Sequence, residues 1–205
     1  VTGKASAYYH TVGNRIDGGT INHGETTLTI DDLLLSPTFI SSLDEAKNHY
    51  DVRSVYSNEQ GVALSNQMDR HVLQMGVLAA RAAGTITENP GGSQVIEGTA
   101  GDFADPDKFA DAIYAAVEKL DVKDVAEEDR ALFLRPKEYY TLIRSSKAIN
   151  RDFGGNGSYA QGKVFEIAGL EIVKSNNVPS TVVAAGTVEA GTGNKYAGDF
   201  SNTVG

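Results

Sequence analysis

No proline interrupts residues 49–83, HYDVRSVYSNEQGVALSNQMDRHVLQMGVLAARAA, and a run of this length predicts one long helix. At about 100° per residue, Val52, Val55, Tyr56, Val62, Ala63, Leu73, Val77 and Ala80 share one face. Leu64, Met68, Val72, Met75 and Ala79 fall on nearly the opposite face. A surface helix needs one apolar stripe, so a helix with two is expected to be covered from both sides. Gly61 and Gly76 each cost about 1 kcal/mol against alanine in a helix interior, which predicts close packing against the backbone there. The rest of the fold is therefore expected to be layered around a spine. Just before it, Ser42-Leu43-Asp44-Glu45 fits a capping box for a short helix over 43–48, and Asp51 is placed to cap the spine.

The segment in front of the spine has little apolar surface of its own. Residues 4–12 and 25–30 have strand composition, and the glycine-rich run NRIDGGTINHG between them predicts a long hairpin. An isolated two-stranded hairpin is marginal in water. It is either a flexible insertion or an arm that orders against another subunit. Tyr8 and Tyr9 favour the arm, because tyrosine suits an interface. Leu33, Leu34 and Leu35, with Phe39 and Ile40 after Pro37, are expected to return the chain to a core.

Beyond the spine, residues 84–101 read as loop with a brief strand at Val95 and Ile96. Asp105-Pro106 is a helix start, aspartate at the cap and proline at the first turn. Phe109, Ala112, Ile113, Ala116, Val117 and Leu120 then form a single stripe. Residues 130–135 predict a buried strand, and Pro136 opens a helix over 137–145 with Tyr139, Tyr140 and Ile143 inward. Residues 150–162 are a glycine loop. Residues 163–168 and 170–174 alternate as strands around Gly169, and 181–205 read as loop. The chain starts at Val1 inside a strand-like run and stops at Gly205 after a polar stretch, which reads as a fragment of a longer protein.

Composition excludes several chemistries. The 205 residues carry a formal net charge of −9, which opposes non-specific grip on nucleic acid or an anionic membrane. There is no cysteine, so disulfides, thiolate-bound zinc and thiol catalysis are out. No apolar run approaches the ~20 residues of a membrane span. The stretch from Gly157 to Lys163, GSYAQGK, has phosphate-loop spacing, but Val164 stands where a hydroxyl is needed and a β-type run follows. Asp102, Asp105, Asp107 and Asp111 lack the glycine and bidentate glutamate of a calcium loop, and helix capping explains them better. The four histidines show no zinc spacing, and neither a serine elbow nor paired catalytic acids can be picked out. No cofactor or metal is expected. Arg53 sits at the first turn of the spine, where the helix dipole disfavours a cation. A local surface ion pair is the plainer reading and an inter-subunit pair the sharper one.

Residues 31–57, DDLLLSPTFISSLDEAKNHYDVRSVYS, followed by the long helix, resemble the major capsid proteins of T-seven-like short-tailed podoviruses. NHYDVRS is the most specific piece. RPKEYYTLIRS at 135–145 and VFEIAGLEIVKSNNVP at 164–179 are similar to the other half of that signature. The resemblance implies an α+β chain with the Hong Kong 97 capsid fold and a structural role rather than an enzyme. Residues 1–31 would be an extended loop lying over a neighbour, 32–94 the peripheral domain with the spine, 95–179 the axial domain, and 180–205 a loop or linker in an incomplete chain. It implies hexamers and pentamers of an icosahedral head enclosing double-stranded DNA, with scaffolding, portal and decoration proteins as partners and no membrane. The subunit-interface candidates are Tyr8, Tyr9, Arg15, Arg53 and Phe153. Lysine–asparagine cross-linking is not carried over to Lys4, for which no partner can be named. An encapsulin-like compartment shell and a phosphate-binding enzyme using Gly157 to Lys163 are the alternatives.

Overall fold

The computed structural model describes residues 5, 7–19, 21, 23–25, 27, 33–41, 47, 52–84, 91–99, 101–145, 166–184 and 196–204. The spine forms as one helix, α1 (Val52–Arg81), 30 residues and roughly 45 Å long. Arg81 in its last turn suits the negative end of the helix dipole. Of the short helix expected before it, Lys47 is helical and the remaining positions, with the Ser42 and Asp51 caps, lie outside the described residues.

Helix α2 (Pro106–Asp121) starts as its sequence dictates. The Asp105 side chain accepts from the Asp107 amide at 3.0 Å, and Pro106 fills the first turn. A short 3-10 turn, Asp102–Ala104, leads into it. The Glu97 carboxylate accepts from the Gly101 and Phe103 amides at 3.2 and 2.9 Å and holds that turn in place. Asp102 accepts from the Thr99 amide at 2.8 Å and pairs with Lys108 at 2.7 Å. The aspartates with calcium-like spacing thus include a cap and an ion pair.

Strand β1 (Ala131–Leu134) leads through Arg135 into α3 (Pro136–Ile143). Strands β2 (Glu166–Ile167) and β3 (Leu170–Lys174) follow. The sheet order is β1-β3-β2, with β1 parallel to β3 and β2 antiparallel to it. Ala168 and Gly169 turn the β2–β3 hairpin with φ of 52° and 75°, the two left-handed positions of a tight primed turn. Phe109, Ala110 and Ile113 of α2, Leu134 of β1, Tyr139, Leu142 and Ile143 of α3, Ile167 of β2 and Leu170 of β3 make one core cluster. Ser145, fully buried, donates to Asp107 Oδ1 at 2.8 Å and ties the end of α3 to the start of α2.

Some expectations are corrected. Among the described residues strand β1 lies at the edge of the sheet and is only half covered: Leu134 is buried but Phe133 is exposed. Tyr140 is exposed, because the buried stripe runs through Tyr139, Leu142 and Ile143 at i, i+3 and i+4 and Tyr140 falls beside it, edge-on to Tyr139. Val95 and Ile96 carry no strand. Residues 181–205 are more than loop. Strand β4 (Val182–Val183) pairs antiparallel with β5 (Gly198–Asp199), and Phe200 beyond it is fully buried.

Candidate subunit interface

The C-terminal part of α1 is clasped by this last segment. His71 stacks on Tyr196 with ring centroids 3.9 Å apart, and Gln67 Nε2 lies 2.8 Å from His71 Nε2. Arg81 donates to the Asp199 carbonyl at 2.5 Å and to Thr203 Oγ1 at 3.3 Å, with its guanidinium 5.8 Å from the Phe200 ring centre. The Ser201 hydroxyl and amide, and then Arg81, hold the Asp199 carboxyl below its ordinary pKa. Asn177 Nδ2 approaches Asn66 and Asp69 at 3.4 Å, beside the buried Val178 and Pro179. Between α1, α2 and β1 runs a cleft of about 530 Å³ whose walls include Leu73, Val77, Ala80, Ile113 and Leu132.

Helix α2, strand β1 and the last segment therefore meet the first apolar face of α1 at its C-terminal end. The second face stays open: Met68, Val72 and Met75 are 66%, 67% and 46% exposed. So does the first face nearer the N-terminus, where Val55, Tyr56 and Val62 are exposed. Across all 30 residues only Val52 and Gln74 are buried. Among the described residues, layers on both sides of the helix are not seen. Gly61 and Gly76 mark no close packing either, since a side-chain carbon added at each would meet nothing within 4 Å.

The arm is as open as the spine. Gly13, at φ 96°, sits in a turn closed by the Asn14 amide donating to the Thr11 carbonyl at 3.2 Å. That turn brings Tyr8 back to residue 17, where its hydroxyl donates to the Asp17 carbonyl at 2.7 Å. Arg15 pairs with the Asp17 carboxylate at 3.3 Å, in full solvent, where such a pair contributes little. Tyr9 is entirely exposed. The turn lies before the glycine-rich run expected to make it, and among the described residues the arm carries no strand beyond a single bridge at His23. Leu33, Leu34, Leu35 and Phe39 are exposed rather than returned to a core. Tyr8 and Arg15 thus meet through Asp17. Arg53 stands on the exposed first turn of α1, and Phe153 and the Gly157 to Lys163 stretch lie outside the described residues.

No described group of histidine, cysteine or acidic side chains could hold a metal ion. No described helix is long and apolar enough to cross a membrane. What the surface offers is apolar area without a cover. The Gp10A-like family profile, described as major capsid protein, matches residues 1–205. The chain belongs to the Gp10A-like major capsid protein family. This is a family of structural proteins rather than enzymes.

Among Gp10A-like relatives, the major capsid protein of Escherichia phage T7 is 29% identical over 203 residues, covering 94% of this chain and 58% of its own length. The major capsid protein of Enterobacteria phage T3 is 27% identical over 192 residues, covering 85% of this chain and 54% of its own. The capsid structure of the cyanophage P-SCSP1u is similar over the whole chain, with a TM-score of 0.86 and 39% identity, and 64% of that chain is covered. The mature capsid of bacteriophage PhiM1 shares the fold at a TM-score of 0.75 and 20% identity. The chain thus spans little more than half the length of the curated relatives it matches.

Proposed function

We propose that the chain builds the shell of a tailed double-stranded DNA bacteriophage head, where its copies form hexamers and pentamers. The observation that carries this is α1, a 30-residue helix with two apolar faces and two buried residues. A helix of that kind is stable where other surfaces cover it. The relatives' names point the same way.

Residues 1–31 are the extended loop in this reading, with Tyr8, Tyr9 and Arg15 meeting a neighbour. Residues 32–94 form the peripheral domain, with Arg53 at a subunit contact. Residues 95–179 form the axial domain around the ring centres, and 180–205 link onward. Phe153 belongs to the same set of contacts. Scaffolding, portal and decoration proteins are the partners, and the net charge of −9 lets the wall contain DNA without holding it. No observation favours a compartment shell or a phosphate-binding enzyme. Electron microscopy of the full-length protein expressed with its scaffold tests the proposal. Closed shells are expected; monomers whose α1 is already protected from hydrogen exchange along both faces would sink it.

A further inference from the structure

Helix α3 carries a cationic, aromatic face on an acidic chain. Lys137, Tyr140 and Arg144 stand at i, i+3 and i+7, within about 60° of one another, and all three are exposed. Lys174, at the end of β3, reaches the same face: its Nζ lies 5.3 Å from the centre of the Tyr140 ring. Arg144 donates to the Tyr140 carbonyl and to Thr141 Oγ1, both at 3.2 Å. Among the described residues no carboxylate pairs with Lys137, Arg144 or Lys174. Glu138, the acid within α3, is buried and taken by Arg135 through contacts of 2.7 and 3.2 Å.

The complementary charge lies at the other end of β1. Residues 124–129, DVAEED, put Glu127, Glu128 and Asp129 in solvent. Arg130 holds this loop from inside. Its guanidinium donates to the Val125 and Ala126 carbonyls at 2.5 and 2.8 Å and pairs with Asp121 at 2.8 Å, its side chain 9% exposed. Asp129 itself is left-handed, at φ 59°. The loop precedes β1 and α3 follows it, so the two features are separated by the strand, roughly 13 Å. Among the described residues no ion pair joins the two within one chain.

We propose that the α3 face docks the acidic loop of a second copy, head to tail. Two different patches joined this way repeat from copy to copy and close a ring when the rotation allows. Charge complementarity at such a rim sets register and encounter rate. Tyr140 supplies a flat amphipathic surface under the cations, suited to an interface. Nucleic acid is the less favoured occupant, because each phosphate contact needs a cation and three of them on a chain of net charge −9 give little hold.

The inference rests on the shell reading, and the test separates the two. Full-length protein is assembled unaltered, as Lys137→Glu/Arg144→Glu, as Glu127→Lys/Glu128→Lys, and with all four changes. Circular dichroism confirms folding. Each double variant is expected to yield about tenfold fewer particles or less, and the quadruple variant to recover most of them. Doubles that assemble like the unaltered protein, or a quadruple no better than either double, overturn the contact while leaving the shell reading intact. An α3 double that assembles normally but no longer retards DNA in a gel assigns the face to nucleic acid and also overturns it. Failure of the unaltered protein to form any particle removes both readings.

Discussion

Phe200→Ala is the sharpest probe of how the spine is held. The ring is fully buried, under the Arg81 guanidinium and beside β5. Packing there is tight enough that a side-chain carbon at Gly198 would come within 3.1 Å of the Phe200 ring and 3.2 Å of Leu78. Truncating a buried phenylalanine costs about 3–5 kcal/mol. The low end applies, because Phe200 lies outside the nine-residue core cluster and the exposed Arg81 can settle over the gap. The cation–π contact contributes about 0.5–1 kcal/mol of that. About 3 kcal/mol is roughly a hundredfold in an opening equilibrium. Hydrogen exchange should then show about hundredfold lower protection at residues 198–203 and across the last two turns of α1, with the α2–α3 core unchanged. Arg81→Ala should produce part of the same loss and couple to Phe200→Ala by about 1 kcal/mol in a double-mutant cycle. Equal loss of protection at Leu142, or none in α1, would refute the idea of a local clasp.

Leu142→Ala, at a position with no exposed surface inside the core cluster, should lower global stability by about 2–5 kcal/mol in a urea titration. Gly61→Ala should raise the stability of the free chain by about 1 kcal/mol, since the site is helical and open. Gly169→Ala should lower it by about 1 kcal/mol, because φ there is 75°. The hydrogen bond from Lys108, then that from the Thr99 amide, holds Asp102 below the ordinary carboxylate pKa. A depressed folded value means a contribution present above the unfolded pKa and lost as pH falls through the folded one. An NMR titration should find the Asp102 midpoint depressed, and returned toward normal by Lys108→Ala.

Local rules were legible wherever a residue acts on its own neighbours. Asp105 and Pro106 start α2, Pro136 starts α3, and Gly169 turns β2 into β3, each through a backbone requirement spanning a few residues. What escaped was long-range. Strands β4 and β5 are two residues each and show no periodicity. Phe200 shares its polar stretch with one other aromatic, Tyr196, and only the presence of Arg81 and Leu78 across the fold makes it an anchor. The turn described in the arm falls at Gly13, just before the glycine-rich run, where one left-handed glycine followed by the Asn14–Thr11 bond suffices. As for the candidate interface, Tyr8 and Arg15 could be named as exposed types, but their meeting at Asp17 depends on where that turn falls.

The two faces of α1 show a limit of a different kind. Periodicity identified the apolar residues correctly, yet nothing in a period says which polypeptide covers them. The structure divides them by position along the helix as well as by face. Leu73, Val77 and Ala80, with the exposed Val72 at the rim, line the chain's own cleft, while Met68 and Met75 are open on the other face. The clasp at His71 and Arg81 fixes the C-terminal part of the helix to its own body, while Val55, Tyr56 and Val62 nearer the N-terminus stay exposed. Helix propensity alone leaves α1 marginal, so cover supplied from outside would add to its stability as well as to binding. Folding of the spine and closure of the shell would on this argument be linked equilibria. The sign of Gly61→Ala separates them: a methyl that stiffens the free helix should slow assembly if a neighbour must approach the backbone there, and should hasten it if the neighbour needs only a formed helix.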